Sequence, residues 1–331
     1  MTRFLRVGRT RPAAALLLSL SVFLAACSDD NQADTTDGPT DTSVTSATPA
    51  ETDETAPEIF EYESFKEVAA LFEELDYTPE AWAAGIREVA RVYIQTIPSR
   101  WRSRVSKEVD VQTKKRIFLR AMAPLVLHAN EKILAERARL LALDEAKLDD
   151  PWLKELALKY RVIDGPDDPV TPQSLDELER RVDIIPPSLA LAQSIEESGW
   201  GTSRFAEQGN ALFGMWSWSE EAMRPDQQRS GKGDYGIAAW DTPQDSVDGY
   251  MLNINRHFAY EDLRDRRAEI RARGESPRGA DLVTTLVNYS ERGQVYVDGL
   301  ERMMDYNRLH DVDDAVLVGR VIHLVPVGEG A

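Results

Sequence analysis

Two adjacent carboxylates, Glu196 and Glu197, stand at the end of a segment, 188–198, in which apolar residues recur at helical spacing. Prolines before the segment and a glycine after it predict that a helix begins and ends there. A carboxyl in the last turn meets the negative end of the helix dipole, and the neighbouring indole of Trp200 is apolar. Both features should raise its pKa. A carboxylic acid that keeps its proton near neutral pH suits general acid catalysis.

A Glu near a helix end is usually just a solvated surface residue, and that plainer interpretation competes with the catalytic one. The neighbouring motifs favour catalysis: Glu197-Ser198-Gly199-Trp200-Gly201, then Phe205-Ala206 and Asn210-Ala211-Leu212-Phe213-Gly214. This series resembles the glucosaminidases of glycoside hydrolase family 73, most closely their Bax-type branch. The resemblance implies that Glu197 is the catalytic acid. Glu196 lies about 100° further round the helix, so it is predicted to be scaffold.

Glycoside hydrolysis also needs a group that stabilises the oxocarbenium-like centre. Glu221 and Asp226 are the candidate second carboxylates. The alternative is substrate assistance, in which the sugar's own acetamide is the nucleophile and one protein acid suffices. Because the family has a functionally important tyrosine in its C-terminal motif, Tyr289 is assigned a catalytic role and Tyr296 a substrate-binding role. The residues leave the choice between the two mechanisms open.

Aromatic side chains are expected in a cleft that binds sugars, because sugar rings present apolar faces. For the tryptophans, packing in the core is an equally good interpretation. Asn210 is predicted either to fix the turn after the catalytic helix or to bind the substrate. The other predicted substrate contacts are aromatic: Trp200, Phe213, Trp216 and Trp218. Trp240 is a further candidate.

Composition excludes several other classes of function. The 331 residues carry a net charge of −18, which argues against binding to nucleic acid. The four histidines lack metal-ligand spacing, so neither a metal nor a cofactor is expected. Ser198 lies in no nucleophile elbow, and Gly231-Lys232-Gly233 lacks the spacing of a phosphate-binding loop. The chain is expected to be a monomer that acts on peptidoglycan glycan strands.

The N-terminus has the pattern of a processing segment. Four arginines precede the short apolar run 13–23, as in a signal peptide, and an uncleaved signal anchor is the alternative. The run ends in Leu24-Ala25-Ala26-Cys27, which resembles a bacterial lipobox and implies lipidation of Cys27. Cys27 is the only cysteine, so no disulfide forms within the chain. We expect a lipid-anchored protein facing the periplasm, with the outer membrane favoured and the inner membrane left open.

The remaining sequence predicts a mainly α protein, in which a helical region precedes a lysozyme-like α+β catalytic domain with a small β-hairpin lobe. Helices are predicted from Thr78 to Ile97 and from Asp110 to about Leu143, the second kinked or split at Pro124. The hairpin lobe is predicted between Met215 and Trp240. The predicted divisions are a signal peptide 1–26, a disordered acidic tether 27–58, the helical region 59–165, the catalytic domain 166–312 and an unassigned tail 313–331.

The resemblance implies a peptidoglycan hydrolase that cleaves the β-1,4 bond after N-acetylglucosamine, with Glu197 as general acid. One alternative is a lytic transglycosylase or muramidase, since lysozyme-like folds also place one Glu at a helix end before a hairpin. A second alternative is a non-catalytic lipoprotein that binds the cell wall.

Overall fold

The computed structural model describes residues 56–144, 147–226, 228 and 234–328. The predicted leader, Cys27 and the tether up to residue 55 lie outside these residues. In chain order the elements are β1 Glu58–Tyr62, α1 Phe65–Glu74, α2 Pro79–Ala83, β2 Glu88–Ile94, α3 Ser106–Glu108, α4 Val111–Leu141, α5 Pro151–Lys159, α6 Pro172–Arg181, α7 Pro187–Ser198, α8 Arg204–Gly209, β3 Trp216–Ser217, β4 Gly236–Ile237, α9 Pro243–Arg256, α10 Glu261–Ala272, α11 Gly279–Leu282, α12 Gln294–Tyr306 and β5 Val316–Pro326. A π-helical turn, Trp101–Val105, precedes α3, and 3-10 helices cover Phe258–Tyr260, Val283–Asn288 and Leu309–Asp314.

Most helices begin where capping residues predict. Thr171 and Thr242 each accept a hydrogen bond from the backbone three residues later and are followed by proline, so α6 and α9 start with capping boxes. Asp110 caps α4 by accepting a hydrogen bond from the Thr113 N–H. Of the two alternatives predicted at Pro124, a kink or a split, the split is wrong, because α4 is continuous through this buried proline. The helix packs on α7, α9 and β2.

The predicted helix from Thr78 to Ile97 is wrong beyond Ala83. Gly85 has a φ of +91°, which ends the helical segment, and the chain continues as β2. This strand contains Val89, Val92 and Tyr93, residue types that pack well on a pleated surface. The region 59–165 is therefore not purely helical.

The tail that the sequence left unassigned forms the central strand of a three-stranded sheet. The strand order is β1-β5-β2, with β5 parallel to both neighbours. Phe60 pairs with Leu324, and Val89 pairs with Leu317. The sheet thus joins the start of the described chain to its end, and α4 packs against β2.

The segment predicted to be catalytic contains the expected buried helix and hairpin lobe. Helix α7 is almost entirely buried and packs against α4, α11, α12 and the 3-10 helix Leu309–Asp314. Strands β3 and β4 form an antiparallel pair that a bridge between Met223 and Ile237 extends. The predictions of a mainly α fold and of a small hairpin lobe are confirmed.

Candidate active site

The end of α7 places Glu197 as the sequence predicts. Gly199 adopts the left-handed conformation, with φ +58°, and its N–H bonds to the carbonyl of Ile195, which ends the helix. At the other end, no side chain of α7 caps the first turn. Asp313 does so instead, accepting hydrogen bonds of 2.8 Å from both the N–H and the hydroxyl of Ser188. The helix that carries Glu197 is therefore fixed at both ends.

The two oxygens of Glu197 have different surroundings. The Tyr296 hydroxyl donates a 2.9 Å hydrogen bond to Oε1. Oε2 lies beside Gly214, where a Cβ atom would be 3.5 Å from it. Burial raises the pKa of Glu197, and the Glu196 carboxylate raises it further, while the Tyr296 hydrogen bond and the Arg292 charge lower it. The predicted direction of this pKa shift is confirmed, and its main cause is burial.

A line of hydrogen bonds runs behind Glu197. The Tyr250 hydroxyl donates to Oε1 of Gln193, and Nε2 of Gln193 donates at 3.1 Å to the Tyr296 hydroxyl oxygen. The Tyr296 hydroxyl in turn donates a hydrogen bond to Glu197. Gln193, a completely buried polar residue, had no predicted role. The signal was available, because Gln193 lies one turn before Glu197 on the same face of α7.

Tyr296 is predicted to contact the substrate, but the structure gives it a different position. The side chain is only 1% exposed, and its hydroxyl bonds to Glu197 and Gln193. It holds the acid in place instead of facing the solvent. The ring of Tyr289 stacks on it, with centroids 5.3 Å apart and planes 9° from parallel. Tyr289 is half-buried, and burial raises its pKa well above the usual value.

Glu196 does not share the position of its neighbour. Its Oε1 accepts a 2.7 Å hydrogen bond from Arg292, at the start of the segment that leads to α12. The pair holds this segment to the end of α7. Arg292 also packs against the Tyr296 ring, at 5.1 Å from its centroid.

Two other predicted substrate contacts have structural roles. Phe213 is 2% exposed and stacks on Tyr250, with centroids 3.9 Å apart. Asn210 ends α8 in the left-handed conformation, accepts a hydrogen bond from the Ile97 N–H and donates to the carbonyls of Trp240 and Asp241. Of the two roles predicted for Asn210, the structure supports fixing the turn. Phe213 belongs to the core.

The tryptophans divide into two groups. Trp216 and Trp218 lie on the hairpin lobe, 39% and 63% exposed, in an edge-to-face pair at 6.2 Å. Trp216 also stacks on Tyr235, with centroids 4.6 Å apart, and the exposed parts of the two indoles are apolar surface of the kind that a sugar ring packs on. Trp200 is half-buried, with its ring against Phe118, and its carbonyl accepts a 2.9 Å hydrogen bond from Nε1 of Trp101. It anchors the turn after Glu197.

The candidate second carboxylates stay on the surface of the hairpin lobe. Glu221 and Asp226 are exposed, and Asp226 lies 3.5 Å from Arg204. Across the described residues, no hydrogen bond or ion pair joins either of them to Glu197. The same part of the chain contains no group of three or more His, Cys, Asp or Glu side chains arranged to hold a metal ion. None of its helices is both long and apolar enough to span a bilayer.

Comparisons with known proteins identify the family. The model of the glucosaminidase family, described as mannosyl-glycoprotein endo-beta-N-acetylglucosaminidase, matches residues 172–309. Protein bax of Escherichia coli strain K12 is 31% identical over 202 residues, which cover 59% of this chain and 70% of that protein. The chain therefore belongs to the glucosaminidase family, and it is a glycosidase by family. The predicted resemblance is confirmed.

A solved structure was also matched. The catalytic domain of the autolysin Auto from Listeria monocytogenes aligns over 62% of this chain and 92% of that domain, at 13% identity and a TM-score of 0.35.

Proposed function

We propose that the chain hydrolyses peptidoglycan at the β-1,4 bond after N-acetylglucosamine, with Glu197 as general acid. One observation carries the proposal: a half-buried carboxyl of raised pKa has one oxygen bound by Tyr296 and the other beside Gly214. A carboxylic acid in such surroundings can hold its proton at a pH where an exposed glutamate has lost it.

The hydrogen-bond directions indicate which oxygen carries the proton. Tyr296 donates to Oε1, so neutral Glu197 carries its own hydrogen on Oε2. This hydrogen passes to the glycosidic oxygen as the bond from that oxygen to the anomeric carbon breaks. The same carboxylate then accepts a proton from the water that completes the hydrolysis, which restores the starting state.

For the second group we favour the acetamide of the substrate. The carbonyl oxygen of the acetamide attacks the anomeric carbon, and the resulting oxazolinium ring is opened by water. The exposed positions of Glu221 and Asp226 support this choice over a second carboxylate. Tyr289, whose ring lies against Tyr296 beside the acid, is the candidate to hold the acetamide.

Peptidoglycan is proposed as the substrate for two reasons. The family model is that of enzymes acting at N-acetylglucosamine, and the leader resembles that of lipoproteins in the bacterial envelope. Peptidoglycan, whose glycan strands alternate N-acetylglucosamine with N-acetylmuramic acid, is the polymer of that compartment. We further propose that Cys27 carries the lipid anchor, that the enzyme faces the periplasm, and that Trp216 and Trp218 support the glycan strand.

Digestion of purified sacculi tests the proposal. Glu197→Gln is expected to lower turnover by about 10²–10⁴, the usual contribution of a general acid, while the protein remains folded. Glu196→Gln is the matched control and is expected to keep activity within severalfold. Mass spectrometry of the products identifies the bond. Reducing N-acetylglucosamine ends support the proposal, whereas anhydro-muramic or reducing muramic ends indicate a lytic transglycosylase or muramidase. Binding to sacculi without released glycan would indicate a non-catalytic protein.

A further inference from the structure

A cavity of about 310 Å³ lies beside the turn that follows Glu197, on the side formed by the N-terminal part of the described chain. Its volume is at the lower end of the range for ligand sites in proteins. Most of its wall is apolar, with side chains from α1, β2 and α4 that include Val68, Phe72, Ile94, Ile117 and Met122. Glu197 and Tyr289 do not belong to the wall described, so the cavity is distinct from the candidate active site.

One cation in the wall has an unused hydrogen-bond donor. The guanidinium of Arg120 packs over the rings of Phe72 and Tyr77, 5.6 and 5.5 Å from their centroids. Its Nη2 atom is buried and has no hydrogen-bond partner. An unpaired buried donor is destabilising, and the guanidinium group is suited to binding carboxylate or phosphate oxygens.

Four other charged side chains also line the cavity. Arg116, one turn before Arg120 on α4, and Arg100 also belong to the wall, together with Glu73 and Glu80. The two glutamates act on Arg120 through space, which offsets part of its charge. Neither glutamate accepts a hydrogen bond from Nη2 of Arg120, so this buried donor is left for an anionic head group.

We propose that this cavity binds an amphiphile with a linear apolar chain and an anionic head, either a carboxylate or a phosphate monoester. The chain lies among the apolar side chains, and the head accepts hydrogen bonds from Arg120. Because most of the wall is apolar, the cavity suits an alkyl chain better than the hydroxyl groups of a sugar. The site is therefore for a lipid-like anion and not for the glycan.

The cavity shares its wall with the residues that hold the catalytic turn. Trp101 donates its indole N–H to the carbonyl of Trp200, and a Cβ on Gly201 would be 3.1 Å from the Phe118 ring. Trp101, Phe118 and Gly201 all belong to the cavity wall. An occupant therefore contacts the side chains that position the turn four residues after Glu197, so occupancy should change the rate of glycan cleavage. This second part of the inference rests on the proposed function, whereas binding does not.

Titration calorimetry on the folded protein tests the binding. The probes are dodecanoate and dodecyl phosphate, each below its micellar concentration. Saturable binding of one molecule per chain is expected for at least one of them, which also distinguishes the two head groups. Butyrate and inorganic phosphate should bind at least tenfold more weakly. Equal affinity for dodecyltrimethylammonium, or no saturable binding of either anion, would overturn the proposal.

Variants locate the site. Arg120→Met keeps the apolar stem and should weaken binding at least tenfold, whereas Arg266→Met, at an exposed arginine outside the cavity wall, should leave it unchanged. Ala121→Leu, which fills the cavity and retains Arg120, should weaken binding even if Arg120→Met fails to fold. Equal affinity in Ala121→Leu and Arg266→Met would show that the amphiphile binds elsewhere.

Sacculus digestion then tests the coupling. Saturating dodecanoate or dodecyl phosphate should change the rate at least twofold in the unmodified protein and not in Ala121→Leu. Binding without a change in rate would overturn the coupling alone. If the unmodified protein releases no glycan, the proposed function fails, while the calorimetric result stands by itself.

Discussion

The hydrogen bond from Tyr296 to Glu197 is the contact through which the protein most directly adjusts the pKa of its candidate acid. The bond is 2.9 Å long and its donor is almost completely buried. It stabilises the ionised carboxylate and lowers the pKa that burial raises. Tyr296→Phe removes the hydroxyl and keeps the ring, including its stacking on Tyr289. The pKa of Glu197 should therefore rise further in this variant.

The size of this rise can be worked out from the bond. A hydrogen bond to a charged group contributes about 1.5–3 kcal/mol, and one pKa unit corresponds to about 1.4 kcal/mol. Water reaches the half-buried carboxyl and replaces part of the lost bond, so we expect the lower end, about one pKa unit. A general acid works only while protonated. The alkaline limb of the profile of kcat/KM against pH should thus move about one unit upward.

The assay is release of glycan from sacculi between pH 4 and 9, with carbon-13 NMR of the Glu197 carboxyl as a readout that does not depend on turnover. Tyr250→Phe is the matched control. It removes the hydroxyl at the far end of the line, leaves the bond between Tyr296 and Glu197 in place, and should move the limb by less than about 0.3 units. An unchanged or lowered limb in Tyr296→Phe, or an equal shift in both variants, would refute the reasoning.

Three further predictions concern the supports of Glu197. Gly214→Ala places a Cβ atom 3.5 Å from Oε2 of Glu197, at a residue with left-handed backbone, and should lower turnover at least tenfold. The control is Gly274→Ala, at a left-handed residue with open space around it. It should lower only the free energy of unfolding, by about 1–2 kcal/mol in a urea melt. Asp313→Ala leaves buried N–H groups unpaired and should lower the free energy of unfolding by about 2–4 kcal/mol, against less than about 1 kcal/mol for the exposed Asp314→Ala. The pKa of Glu197 is higher in the folded than in the unfolded protein, so ionisation of this carboxyl opposes folding above its pKa in the unfolded chain. Glu197→Gln should therefore raise the melting temperature more at pH 7 than at pH 4. An equal rise at both pH values would contradict this.

Local signals were sufficient to predict the helix that carries Glu197 from the sequence. The prolines before α7, the glycine after it and the apolar residues within it depend only on neighbouring positions. The direction of the Glu197 pKa shift followed from the same few residues. Phe213 and Tyr296 were assigned to the substrate because a family motif identifies residue types without telling which way a side chain faces. Their burial depends on packing against α9 and α7, far away in the sequence.

The parallel sheet could not be predicted for a related physical reason. Strands β1 and β2 pair with β5, more than 200 residues later, and no turn between neighbouring strands reveals the pairing. The apolar residues of β2 fit a helical spacing about as well as a strand, and its length is too short for periodicity to separate the two. Only the pairing with β5 distinguishes a strand from a helix here, and the sequence of β5 does not indicate the register of the pairing.

The family match ends before the structural unit of the site does. The matched residues are 172–309, yet Asp313 holds the start of α7 and Trp101 holds the turn after its end. Ile97, next to β2, fixes Asn210 and with it the path of the chain between α8 and the hairpin lobe. Both flanking segments are tied to each other through the sheet. The direct contacts of Glu197 lie within the matched residues, but the two ends of α7 are also held from outside them, by Asp313 and Trp101.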